Sequence, residues 1–409
     1  MNDSFLTSGD MNDPFLTSGG RRENFASFVI LGRSCAWAAG GGWRSGSLAR
    51  MATDSHLRFA LAVHAALGAG GGNTCFSPYS VASALTLAAR AARGQTRDEL
   101  VALLGDPDEH TVLLREATRL ADDEPELAVA NTLWADDRLP LEDSFKGALA
   151  EWPGAAVASA PFEKEPETAR ALINDDVGRT TRGLIPQLLP PGSIDSDVAA
   201  VLVNALYLKA AWKLPFREAN TSDAPFHAPS GTRDVPTMWL GENLGYAHAG
   251  GWQAVQLAAA GGLQAVVLLP DGDLAEAESR LDHTTLASLL GKIRFKRVEL
   301  ALPKISLDVS SKLAGVLGGL GVRTIFTDDA DLSGLSPDPR LTVSEVLHQA
   351  VLRVDEQGFE GAAATALVMR LTSMMIDDPV AVTVDRPFLL LVRHAGTGAL
   401  YFLARVVEP

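Results

Sequence analysis

The side chains able to make or break covalent bonds are present in this chain, but their spacing does not bring them together. Eight histidines are scattered along the sequence, and the two cysteines, Cys35 and Cys75, lie far apart. Acyl transfer by an activated serine calls for a G-x-S-x-G turn, zinc hydrolysis for H-E-x-x-H, phosphoryl transfer for G-x-x-x-x-G-K-[ST] and thiol exchange for C-x-x-C; none of these occurs. Gly318-Gly319-Leu320-Gly321 is too short for a dinucleotide-binding turn and reads as the glycine stop of a helix. Cys75, in the apolar run Thr74-Cys75-Phe76, is expected to be a buried inert thiol. Neither cysteine has neighbours spaced for a zinc site or a disulfide framework. The expectation is no catalytic residue, no metal and no cofactor.

One stretch departs from ordinary patterning. Residues 356–378 (EQGFEGAAATALVMRLTSMMIDD) run from a glycine through small residues to larger apolar ones, with no proline before Pro379. With period two, Phe359, Gly361, Ala363, Thr365, Leu367 and Met369 share an uncharged face, while Glu360 and Arg370 fall on the other. A central strand needs that parity. Residues 362–369 also have good helix propensity, so helix and edge strand both remain open from these residues alone.

The surrounding elements are legible from their periods. Residues 56–67 carry apolar side chains at helical spacing and stop at the glycines 68–72. Ser77-Pro78 starts a second, alanine-rich helix, since proline suits a first helical turn; a third follows over 96–104. Residues 198–208 form a nearly continuous apolar run, suiting a strand covered on both faces. Shorter apolar runs at 265–269, 298–302, 388–392 and 400–407 read as strands, and 168–180 and 310–320 as helices. Without strict βαβ repetition, the mixture favours an α+β fold with several sheets.

With 409 residues, 47% hydrophobic and 21% charged, the chain can bury a large core, and no linker divides it after about residue 54. The formal net charge of −15 argues against nucleic acid or an anionic membrane as partner. The densest basic cluster, residues 292–297, alternates and reads as a strand with a solvated basic face, so no heparin-type polyanion site is expected. Residues 1–10 and 11–20 are a tandem copy with eight of ten positions identical; residues 1–53 read as a disordered extension. Arg21-Arg22 before a short apolar run is a poor match to a twin-arginine export signal. No apolar run reaches the roughly 18 residues of a membrane span. Cytoplasmic residence follows from the weak signal. Arginine over lysine, with abundant alanine, suits a GC-rich bacterial genome.

The segment at 356–378 resembles the hinge of the serpin family, Glu-x-Gly-x-Glu followed by alanines: Glu356, Gly358, Glu360, Gly361, Ala362, Ala363, Ala364 and Thr365 match it. Further family-like motifs recur in the family's order. They include residues 73–85 (NTCFSPYSVASAL), 131–134 (NTLW), 173–185, 203–216 (VNALYLKAAWKLPF), 302–305 (LPKI), 320–335, 344–356 and 386–388 (RPF). The resemblance runs from about Asp54 to the C-terminus. It implies one domain over 54–409 with three β-sheets, about eight or nine helices and an exposed reactive-centre loop over about 356–378.

The resemblance also implies a function. Serpins inhibit serine proteases as suicide substrates: the protease cleaves the loop, and the loop enters the main sheet before the acyl-enzyme hydrolyses. About 15 residues at ~3.3 Å each reach ~50 Å, enough for a full strand. Burying the uncharged face contributes on the order of 6 to 12 kcal/mol as an upper bound. By family position, Ser77, Ser80, Asn204 and His348 form the hydrogen-bonded cluster under the part of the sheet that must open. Trp212 marks where insertion begins, and Glu356 pairs with Lys304 on the surface. Phe359 is a departure, standing where inhibitory members carry Thr or Ser; overpacking of ~1 to 3 kcal/mol would slow insertion and favour substrate behaviour. Counting from Glu356 places the attacked bond at Thr372-Ser373, with Arg370, Met374 and Met375 as alternatives. Thr372 or either methionine implies an elastase-like or subtilisin-like protease, and Arg370 a trypsin-like one. The expected state is a monomer, extracellular by family habit. The alternative within the family is a non-inhibitory carrier, storage or chaperone-like protein.

Overall fold

The computed structural model describes residues 42–409 except 122–124, 144, 146, 148–154, 197, 199, 339, 340, 344, 345 and 360–377. The tandem repeat, Arg21-Arg22, Cys35 and the loop positions from Glu360 through Met375 therefore lie outside the described residues.

Among the described residues there are eight α-helices: α1 Gly42–Leu67, α2 Pro78–Ala91, α3 Gly94–Leu104, α4 Pro107–Ala117, α5 Pro166–Thr180, α6 Leu274–Ser279, α7 His283–Gly291 and α8 Ala314–Gly319. α1 starts upstream of the expected position, in a stretch rich in Leu, Arg, Met and Ala that continues the helix without a break. α2 begins as expected, with Pro78 in its first turn and the Ser77 side chain capping Ser80 N at 3.1 Å. The helix expected over 310–320 is corrected: residues through Lys312 are strand, and only Ala314–Gly319 is helical. Along that strand buried Ile305 and Leu307 alternate with exposed Ser306 and Asp308, so period two wins over helix propensity.

The strands are β1 Thr74–Phe76, β2 Glu126–Asp136, β3 Ala155–Ala160, β4 Ala200–Ala211, β5 Ser222–Ala228, β6 Gly231–Ala249, β7 Trp252–Ala258, β8 Leu263–Pro270, β9 Arg294–Pro303, β10 Ile305–Lys312, β11 Leu347–Val354, β12 Gly358–Phe359, β13 Val380–Thr383, β14 Phe388–His394 and β15 Leu400–Val406. They make three sheets. The main sheet has the order β10-β11-β12-β4-β2-β3. The other two share the long β6: β5 pairs with Gly231–Thr237, β9 with Thr237–Tyr246 and β7 with Gly245–Ala249, and from β7 the strands β8, β14, β15 and β1 continue. The basic residues Arg294–Arg297 open β9 and are solvated, as is Phe295 among them.

Three apolar layers hold these parts. The inner face of the main sheet, with Leu206, Leu208, Ala350, Leu352 and Phe359, packs on β6, β8, β9, β14 and β15. Helices α1, α2 and α3 cover the far side of β8, β14 and β15. On the outer face of the main sheet, α5 sets Ile173 and Val177 against Trp134 and Val203. Cys75 is a free, buried thiol; burial, with the Asp308 charge adding to it, pushes its pKa far up, so it is inert at ordinary pH.

Candidate functional site

The hinge residues converge at the top of the main sheet, around a turn that the sequence encodes locally. Asp355 Oδ1 accepts from the backbone N–H groups of Gln357 at 2.8 Å and Gly358 at 3.2 Å, which folds the chain back after β11. Gly358 is required at the next position, because a Cβ there would collide with the Ala210 carbonyl oxygen. Phe359 then enters the sheet as part of β12, opposite Val354 of β11 on one side and Ala210 of β4 on the other.

Phe359 is therefore already inside the sheet, 1% exposed, rather than waiting to enter it. Its ring meets Trp212 edge-on with centroids 4.6 Å apart. Trp212 Nε1 donates to the Asp355 carbonyl at 2.9 Å, and Trp212 N to the Gln357 carbonyl at 2.9 Å. The bulky side chain at this position lies buried against that indole.

Glu356 and Lys304 pair as expected, at 2.8 Å, but the surface pairing is corrected: the Glu356 side chain is only 6% exposed while Lys304 reaches solvent. Thr221 donates a second bond to Glu356 Oε1 at 2.6 Å. Burial alone would raise the Glu356 carboxyl; the Lys304 ammonium and Thr221 hydroxyl outweigh it and hold the pKa below its ordinary value. Phe216 N also donates to the Glu356 carbonyl at 3.0 Å. Thr221 and Phe216 were invisible to sequence reasoning, whereas Asp355 carried a signal in its Asp-x-x-Gly turn pattern.

Below this corner, among the described residues, β4 and β11 are joined only through β12. Each is antiparallel to β12, so they run parallel to one another. A small pocket lies beneath Phe359, lined by Leu206 and Leu208 of β4, by Val351, Leu352 and Arg353 of β11, and by Leu184, Ile185 and Phe402 from other elements. The two strands also come within 8 Å, Cα to Cα, and an intervening strand needs about 9.6 Å. Among the described residues no ladder joins β4 to β11 below β12.

Further along β11, Ser77 N donates to His348 Nε2 at 3.0 Å, tying the start of α2 to that strand. Burial depresses the His348 pKa to about 4, so the imidazole is neutral and can accept that bond. The Ser80 hydroxyl is buried and has no hydrogen-bond partner among the described residues. Asn204 lies on β4 in register with Asn131. Thus Trp212, Glu356, Gly358, Phe359 and Lys304 form one cluster and Ser77, Ser80 and His348 another, with β11 running between the two. Among the described residues no group of three or more His, Cys, Asp or Glu could hold a metal ion, and no described helix is long and apolar enough to cross a membrane.

Residues 54–409 match the family described as "Serpin (serine protease inhibitor)". Serpin-Z2A of Oryza sativa subsp. japonica is 34% identical over 390 residues, covering 82% of this chain and 92% of that protein. Serpin A3-8 of Bos taurus is 34% identical, with 89% of each covered. Among solved structures, uncleaved ovalbumin superposes with a TM-score of 0.77 at 25% identity, covering 88% of this chain and 100% of that one. Human thyroxine-binding globulin, complexed with thyroxine, gives 0.78 at 26%, covering 88% of this chain and 99% of that one.

Proposed function

Because this chain belongs to the serpin family, we propose that it is not an enzyme but a monomeric suicide inhibitor of serine-type endopeptidases, acting by insertion of its cleaved reactive loop between β4 and β11. The observation that carries this reading is Phe359, seated between two parallel strands that no ladder joins below it among the described residues.

The register of Phe359 with Ala210 and Val354 fixes where each later residue would fall. Gly361 comes opposite Leu208 and Leu352, Ala363 opposite Leu206 and Ala350, and Thr365 opposite Asn204 and His348. Leu208, Leu352, Leu206 and Ala350 belong to the inner core, so the uncharged face of the loop meets apolar partners. On the outer face Ala362, Ala364 and Ala366 would pass beneath the layer covered by α5, where only small side chains fit without displacing it. Insertion also replaces contact between two parallel strands with two antiparallel ladders, the more stable pairing per residue.

The chemistry belongs to the protease. Its serine oxygen attacks the Thr372 carbonyl, the Thr372–Ser373 bond breaks and the new amino group of Ser373 leaves with a proton. The ester to Thr372 is normally hydrolysed by water; insertion that outpaces this step drags the protease across the sheet and leaves the ester intact. Thr372 suits a small apolar primary pocket, hence an elastase-like or subtilisin-like target. Met374 or Met375 suits the same class, and Arg370 a trypsin-like one. A binding role of the kind named for thyroxine-binding globulin gives no reason for alanine at all of positions 362, 364 and 366. Bacterial origin rests on the arginine and alanine bias alone.

The test is incubation with a panel of serine proteases followed by denaturing electrophoresis. The expected result is a complex resistant to detergent, with a C-terminal fragment beginning at Ser373. Clipping of the loop by every protease without such a complex would refute inhibition.

A further inference from the structure

Where α2 ends and α3 and α4 begin, three arginines, Arg90, Arg93 and Arg97, line a single hollow of about 460 Å³. Asp108, in the first turn of α4, is the one carboxylate among its described lining residues. Three positive charges against one negative leave a formal excess of two, in a chain whose net charge is −15. Like charges gathered in one place repel, so the cluster favours an anion between them.

The backbone holds these guanidiniums in place without neutralising them. Arg93 is the N-cap residue of α3, and its Nη1 donates to the carbonyls of Arg90 at 2.9 Å and Ala92 at 2.8 Å, closing the C-terminal end of α2. Gly334 makes room for it, since a Cβ there would stand 2.6 Å from the Ala91 carbonyl oxygen and from both Nη atoms of Arg93. Gly334 N donates to the Ala91 carbonyl and Arg93 N to the Asp331 carbonyl, each at 2.9 Å, which fastens residues 331–334 to this corner. Arg97, one helical turn further, donates from Nη1 to the Ala89 carbonyl at 3.1 Å. Among the described residues neither Arg93 nor Arg97 forms a salt bridge, and each keeps Nε and Nη2 without an acceptor. Arg90 is paired: its Nη2 meets Asp108 Oδ1 at 2.7 Å and Thr111 Oγ1 at 3.0 Å. Asp331 feels the charge of Arg93 but does not line the hollow, and its carboxylate accepts from Ser333 N at 3.1 Å.

We propose that this hollow binds a small phosphate monoester, with the phosphate among Arg90, Arg93 and Arg97 and the organic substituent against Pro107 and Phe145. A phosphate monoester carries close to two negative charges at neutral pH, which matches the local excess. Planar guanidiniums with adjacent N–H donors suit phosphate oxygens better than a point charge does. Pro107 and Phe145 supply the apolar part of the wall, and the volume suits one small molecule. The site shares no residue with the hinge cluster and stands independently of the inhibitory reading.

The experiment is thermal unfolding of the full chain with phenyl phosphate at about 20 mM, against phenol and sodium chloride at matched ionic strength. For a dissociation constant of about 1 mM the phosphate should raise Tm by about 2 °C. R97Q should remove most of that shift, and R97K, which keeps the charge but not the planar fork, should retain part of it. D108N removes the carboxylate that competes for Arg90 and should tighten binding about threefold in a calorimetric titration, a gain that a damaged fold does not produce. A Tm that rises no further with phenyl phosphate than with phenol and salt overturns the site. So does an unchanged shift in R97Q, or weaker binding in D108N.

Discussion

His348 shows how much a single residue carries here. Its Nε2 must stay unprotonated to accept from Ser77 N, and burial secures this by lowering its pKa from 6.5 to about 4. His110 behaves similarly, brought to about 4 mainly by burial, and His56, beside it with ring centroids 5.8 Å apart, to about 3. Because the folded-state pKa values lie below the unfolded ones, the unfolded chain takes up protons first as the solution is acidified. Stability is therefore fully present above about pH 6.5 and is lost progressively as the pH falls through 4 to 3. Denaturant titrations across this range should show that slope, and His348→Gln should flatten it, since an amide can accept the same bond without titrating. An unchanged slope in the variant would remove His348 from the acid response.

At the scale of elements, the account concerns β4, β11 and the two-residue β12 between them. Continued in register, the loop brings Thr365 to the level of Asn204 and His348, where the sheet is tied to α2. An arginine at that inward-facing position would bury an unpaired charge, costing several kcal/mol. Thr365→Arg should accordingly leave cleavage intact but abolish trapping, read as a steep rise in the number of inhibitor molecules consumed per protease inactivated; an unchanged stoichiometry would contradict the assigned register. The sequence already contained the alternation from Phe359 to Met369, the proline start of α2 and the strand runs of β8, β14 and β15. It could not show that Phe359 is already seated. That depends on the indole of Trp212, distant in sequence, and on the turn made by Asp355. Nor could it show that Glu356 is buried and bonded to Thr221 and Phe216, which no local pattern links to the hinge. Residues 310–312 were misread because local helix propensity cannot register their pairing with β11.

For the molecule as a whole, the central claim is that the native fold stops short of its lowest free energy. The main sheet holds a strand between β4 and β11 at Gly358 and Phe359; further along, α2 is bonded to β11 and α5 covers the outer face. Completing the strand would bury the uncharged face of the loop, and the barrier is the parting of those contacts. The most direct measurement is the melting temperature before and after cleavage between Gly361 and Asp378. The account predicts a large upward shift, on the order of 20 °C or more for several kcal/mol gained together with a new central strand. A melting temperature that stays where it was would contradict it.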